Sequence, residues 1–204
     1  MSSVVCDVGN ELFDTISLFK LSNYAKGFIH KEKEIYLEKL CKCNVDCPYV
    51  LPKEMWQKTI SVIEKFLPPI REHELYMYLI ARRSRDTKMQ FNAIKTIHEA
   101  INYVESGWVY ALSAIHLEDG KVLVKAQVHH SQSLRKKELM PWVSISSNKT
   151  IIAGHCQCTA GLGGVCCHVC AVLYSVISAT SLPCTAKENQ WLDTHPRRSV
   201  ALIK

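Results

Sequence analysis

Between positions 155 and 176 the chain reads HCQCTAGLGGVCCHVCAVLYSV, and this stretch limits what it can fold into more than any other. It holds Cys156-x-Cys158, seven further residues, and then Cys166-x-His168. Residues two apart on a strand face the same side, so a strand end can offer the first two thiols together. Gly161, Gly163 and Gly164 let the backbone turn sharply between the two pairs. Cys166 and His168 fall at the start of an apolar helix over about 166–178, one from the entering loop and one from the first turn. Three thiolates and one imidazole suit a tetrahedral Zn2+, with Zn–S about 2.3 Å and Zn–N about 2.0 Å. Four protein ligands leave no position for water, so one structural zinc is expected and no hydrolytic one.

Two spare thiols leave a second ligand set open, Cys156, Cys158, Cys167 and Cys170; otherwise Cys167 and Cys170 are small buried apolar groups. His155 points away from Cys156 on an ideal strand and is expected to be exposed or to support a ligand. Cys41-x-Cys43-x3-Cys47 is either half of a second metal site, completed by Cys6 or His30, or a set of free thiols near a loop. Ten cysteines would suggest disulfides in a small secreted chain. The opening MSSVVCDVGNELFD has neither a basic start nor a long apolar stretch, so an intracellular setting is expected, the nucleus included, with metal in preference to disulfides. No segment reaches the roughly 18 apolar residues of a membrane span.

The rest of the chain reads as α+β. Of its 204 residues 48% are hydrophobic and 22% charged, enough apolar material for a core. Residues 1–106 read as mostly helical, 107–180 as a small antiparallel sheet leading into the metal motif (its core about 150–178), and 181–204 as a tail. Helical spacing marks 11–20, an exposed charged helix 31–40, then 53–67, 72–82 and 87–105, with a loop over 44–52. Gly107 ends the last of these helices. Strands follow at 108–116, 121–129, 142–145 and 150–156, with Asp119-Gly120 turning between the first two. Val122, Val124, Ala126 and Val128 should share one face.

With its strand-turn-helix setting, Cys156-x-Cys158-x7-Cys166-x-His168 resembles the SWIM zinc finger. GWV at 107–109, KAQVHHSQ at 125–132, PWV at 141–143 and the AGHCQCTAGLGGVCCHV run widen the likeness. Together with DCPYVLPKEMW and LYMYLI they are similar to a group of animal SWIM proteins related to mobile elements, over about 46–191. Many of that group carry a YqaJ-type recombinase nuclease further on, which is not seen before Lys204. A second cysteine usual in the group before the tryptophan is replaced here: Cys184-Thr185 is followed by Asn189, Gln190 and Trp191. The resemblance implies a non-catalytic zinc module that binds DNA or a protein.

The net charge of +6 permits a nucleic-acid partner without demanding one. Candidate phosphate contacts are Arg82, Arg83, Arg85 and Lys88, and Arg135, Lys136 and Lys137; the plainer reading is solvated helix ends and loops. Trp108, Trp142, Tyr76 and Tyr78 are expected to be packing residues. An accessory or remnant part of a YqaJ-like nuclease is the alternative function. It needs clustered acids and a lysine, and the Asp-x-Lys triplets here are Asp86-Thr87-Lys88 and Asp119-Gly120-Lys121, the second simply a turn. No enzyme activity, no small-molecule substrate and no membrane partner are expected.

Overall fold

The computed structural model describes residues 19–81, 93–130 and 137–181. Its helices are α1 (Asn23–Lys26), α2 (His30–Cys43), α3 (Ile60–Ile63), α4 (Glu72–Ala81), α5 (Ala93–Glu105) and α6 (Cys167–Thr180). The strands β1 (Val109–His116), β2 (Val122–Val128), β3 (Trp142–Ile145) and β4 (Ile151–His155) lie between α5 and α6. They form one antiparallel sheet in the order β1-β2-β3-β4. The fold is α+β as expected, with helices first and a helix closing the sheet. Among the described residues no helix is long and apolar enough to cross a membrane.

Strand alternation puts a core on each face of the sheet. Val122, Val124, Ala126 and Val128 join Leu75, Tyr78, Leu79, Tyr103 and the apolar side of α6 in the first core. Leu123 points the other way and is buried in a second core with Tyr36, Leu40, Trp56 and Trp142. A register shift between β3 and β4 leaves two residues of β4 opposite one of β3, so Ile151 faces the first core and Ala153 the second. This bulge sets the phase in which β4 arrives at Cys156.

Local signals account for most boundaries. Gly107 adopts φ 69°, and the bonds from Gly107 N–H to Val104 C=O (3.0 Å) and from Trp108 N–H to Tyr103 C=O (2.9 Å) close α5 as a Schellman motif. Gly120, at φ 77°, turns the chain between β1 and β2. Two readings need correction. The 31–40 helix is not simply exposed: α2 buries Tyr36, Leu37, Lys39, Leu40 and Cys43 against the sheet. Residues 53–67 do not form one helix. Lys53–Met55 make a single 3-10 turn, and Gln57 exchanges two 2.9 Å backbone bonds with Ala114 of β1. Burial of Trp56 and this pairing outweigh helical propensity there. The expected 11–20 helix lies outside the described residues up to position 18, as does the start of the 87–105 helix.

Candidate metal centre

Cys156 follows the last residue of β4, and its N–H donates to Gly161 C=O at 3.3 Å. Gly161 N–H donates to Cys158 C=O at 2.8 Å, so the ligand loop folds back on the cysteine pair. A Cβ on Gly161 would run into the Cys156 carbonyl, which makes the approach possible only for glycine. Gly164 then takes φ 72° and delivers Cys166 to the N-cap of α6. Gly163 is neither left-handed nor crowded, so only two of the three loop glycines expected to matter are required. His168 lies in the first turn of α6.

The ligand atoms of Cys156, Cys158, Cys166 and His168 all lie within 4.8 Å of one another. Sulfurs at tetrahedral corners around zinc would stand about 3.8 Å apart, so a small contraction would close the set. This is the group of potential metal ligands found among the described residues, and it holds the four residues expected. Cys156, Cys166 and His168 are buried, and Cys158 is half-buried.

Thiol hydrogen bonds, from Cys156 first and then Cys166, hold the Cys158 thiol far below its usual range. The same bond to Cys158 raises Cys156, and those to Cys156 and Cys158 raise Cys166, with burial adding to both. Three sulfurs thus share one largely buried space, where a divalent cation could bind all of them. His168 supplies a second test of fit. Its Nδ1 is buried with no hydrogen-bond partner, while Nε2 stands 3.4 Å from the Tyr103 hydroxyl oxygen. The rings meet edge to face at 5.4 Å and 79°. An Nε2–H directed at Tyr103 leaves Nδ1 as the free ligand atom. Three sulfurs and one imidazole nitrogen at this spacing could hold a metal ion.

Two side chains from elsewhere hold the loop. Tyr78 on α4 donates to Gly164 C=O at 2.8 Å. Lys39 on α2 donates to Gly154 C=O at 2.7 Å and to Leu162 C=O at 2.5 Å. Sequence reasoning did not attach Lys39, Tyr78 or Tyr103 to this site.

The remaining candidates separate clearly. Cys167 and Cys170 stand outside the ligand cluster. They form a Cys-x-x-Cys spacing on α6, but burial raises the Cys167 thiol and pushes Cys170 up to about 12, opposite to an activated redox thiol. His155 is fully buried and not exposed. It does point away from Cys156, but α1 and α2 cover that face, and Tyr24, Phe28, Tyr36, Tyr49 and Trp142 surround the ring. Cys43 and Cys47 are buried, and Cys47 Sγ is 3.1 Å from the Tyr36 hydroxyl and donates to Ser22 at 3.4 Å. Cys41 is disulfide-bonded, against the expectation of metal or free thiols, and Cys43 and Cys47 are free thiols that form no metal group with described residues; Cys6 lies outside them. Trp142 is fully buried and Trp108 packs on Tyr103, whereas Tyr76 is 41% exposed, against expectation. Asp119 and Lys121 close the expected turn, joined by a 2.6 Å ion pair. Arg82, Arg83, Arg85, Asp86, Lys88, Arg135 and Lys136 lie outside the described residues, and Lys137 is exposed. Comparison with family models, with curated proteins and with solved structures finds no match.

Proposed function

We propose that the chain is a zinc-binding module of the SWIM type, without catalysis of its own, in which one ion fastens β4 to α6 and keeps a surface in shape for a macromolecular partner. The observation that carries this reading is the convergence of three sulfurs and one imidazole nitrogen of His168, all within 4.8 Å of one another. Four protein ligands fill the shell of a structural zinc and leave no place for a substrate water. The tie between Asp119 and Lys121 supports a turn there instead of a catalytic pair.

A protein partner is the better fit to the described surface. Tyr76, Met77 and Ile80 on α4 are 41%, 52% and 37% exposed. A DNA partner rests on the basic clusters at Arg82–Lys88 and 135–137 of the sequence. Salt separates the two, because phosphate contacts lose affinity steeply with ionic strength. An intracellular setting, the nucleus included, would keep Cys156, Cys158 and Cys166 reduced for the ion, while the disulfide at Cys41 points the other way.

Metal analysis of the purified chain tests the reading, with about one zinc expected per molecule. Cobalt substitution should produce tetrahedral d–d bands and thiolate charge transfer. Loss of both with Ser at Cys158 and Cys166 is expected. A metal-free double variant that keeps the helix content and stability of the parent would overturn the proposal. So would cleavage of DNA with Mg2+ or Mn2+ that disappears in Asp86→Ala.

A further inference from the structure

We infer that Lys39 is a positioning residue of the metal centre, which makes helix α2 part of the ion-binding unit although it contributes no ligand. This rests on the zinc reading above. Lys39 is only 5% exposed. Burying an ammonium is unfavourable unless its donors are used, and here two of them reach carbonyls on separate parts of the chain. Gly154 lies in β4, two residues before Cys156; Leu162 lies in the loop joining Cys158 to Cys166.

The two acceptors belong to the segments whose spacing decides whether the ligands can close on an ion. Among the described residues β4 is at the edge of the sheet, with no neighbouring strand on its outer side. The ligand loop runs along this side, with Gly164 packed against the Gly154 carbonyl. Lys39 bridges strand and loop from the α2 face, and Tyr78 fixes the loop end from the α4 face. Charge-assisted donation to both carbonyls makes this a stronger tie than a neutral pair. A strand-loop-helix finger without that tie would have to order its own loop on binding, and its affinity would fall accordingly.

The test is zinc affinity in the full chain, by competition with a chromophoric chelator, for Lys39→Met and for Leu40→Ala. Leu40 is a fully buried apolar residue of the same helix, and its truncation loosens α2 while leaving the lysine in place. Lys39→Met should weaken zinc binding by about ten-fold or more, as removal of a supporting group around a metal does. Its cobalt spectrum should remain tetrahedral, since every ligand is retained. Leu40→Ala should lower the unfolding midpoint without a comparable loss of affinity. Wild-type affinity in Lys39→Met, or an equal loss in Leu40→Ala, would overturn the inference and leave the metal reading standing. A wild-type chain that binds neither zinc nor cobalt would overturn both. If Lys39→Met does not fold, Lys39→Gln, which keeps an N–H donor on a shorter stem, makes the same comparison and should show the same direction.

Discussion

The Tyr103 hydroxyl of α5 and the His168 imidazole of α6 meet at 3.4 Å, on the side of the ring away from the unpartnered Nδ1. An Nε2–H donated to this phenol would leave Nδ1 free to bind the proposed zinc. Tyr103→Phe removes that bond and keeps the ring that packs on Trp108 and His168. The expected result is a zinc affinity lower by about ten- to a hundred-fold. The metal-free chain should lose only about 0.5–1.5 kcal/mol, the net worth of one hydrogen bond. Chelator competition and chemical denaturation measure the two effects separately. Equal zinc affinity in Tyr103→Phe and wild type would reduce Tyr103 to a packing residue.

The loop glycines give a contrast within one turn. Alanine at Gly161 collides with the Cys156 carbonyl, so backbone or ligand has to move. Overpacking of this kind costs on the order of 1–3 kcal/mol, and the displacement falls on a ligand. Alanine at Gly163 meets only Val165 Cγ2, at 3.7 Å. Gly161→Ala should therefore lower zinc content after purification and shift the cobalt bands. Gly163→Ala should match wild type in both, with a stability change within about 0.5 kcal/mol. Identical behaviour of the two variants would contradict the packing described for this loop.

Lys125 supplies a pH-dependent stability difference away from the centre. Its Nζ lies 3.6 Å from the centre of the Trp56 ring. Burial, with the nearby charge of Lys58 adding, pushes its pKa down to about 8 from 10.5. Between those two values the unfolded chain holds a proton that the folded chain has released, so this residue's contribution to stability rises with pH across the window. Below about pH 8 both states are protonated, and the cost of burying the cation is fully present. Wild type should therefore gain stability relative to Lys125→Met between pH 8 and 10. Urea denaturation of both proteins at the two pH values reads the difference. A gap that does not change with pH, or that changes in the opposite sense, would show that Lys125 keeps its charge on the Trp56 face throughout.

How much of this could be read in advance depended on sequence distance. The ligands lie close together in the chain, as do the Gly107 stop and the Asp119-Gly120 turn, and each was visible as a local pattern. The groups that support the ligands were not. Tyr103 is 65 residues from His168, Tyr78 is 86 from Gly164, and Lys39 is 115 and 123 from its two acceptors. Nothing local distinguishes Lys39 from the other lysines of a charged helix, because its burial is decided by the strand and loop that arrive later. The burial of His155 has the same origin: alternation sets its direction, but the aromatic cover over it comes from α1, α2 and Tyr49. At 53–67 the apolar spacing suggested a helix, while the docking of Trp56 and the Gln57–Ala114 pairing required extended backbone.

Removal of the metal should not affect the two cores equally. Zinc contributes on the order of 10 kcal/mol apparent in finger peptides, comparable with the entire 5–15 kcal/mol stability of a typical domain. The first core contains Cys156 and Cys166 together with Val169, Val172, Leu173 and Val176 of α6, so it depends directly on the proposed ion. The second contains Tyr36, Leu40, Leu123, Trp142 and Ala153 and no ligand. Its buried large side chains each contribute about 1.5–3 kcal/mol, which favours persistence of α2 and the centre of the sheet after the ion is lost. Chelation should consequently strip hydrogen-exchange protection from α6 and the ligand loop first, with the amides of β2 and β3 exchanging later. Restored protection on adding back one equivalent of zinc is the expected reversal. Unchanged α6 protection in chelator would mean that apolar packing alone docks that helix, and uniform loss throughout the chain would mean that the second core cannot stand without the first.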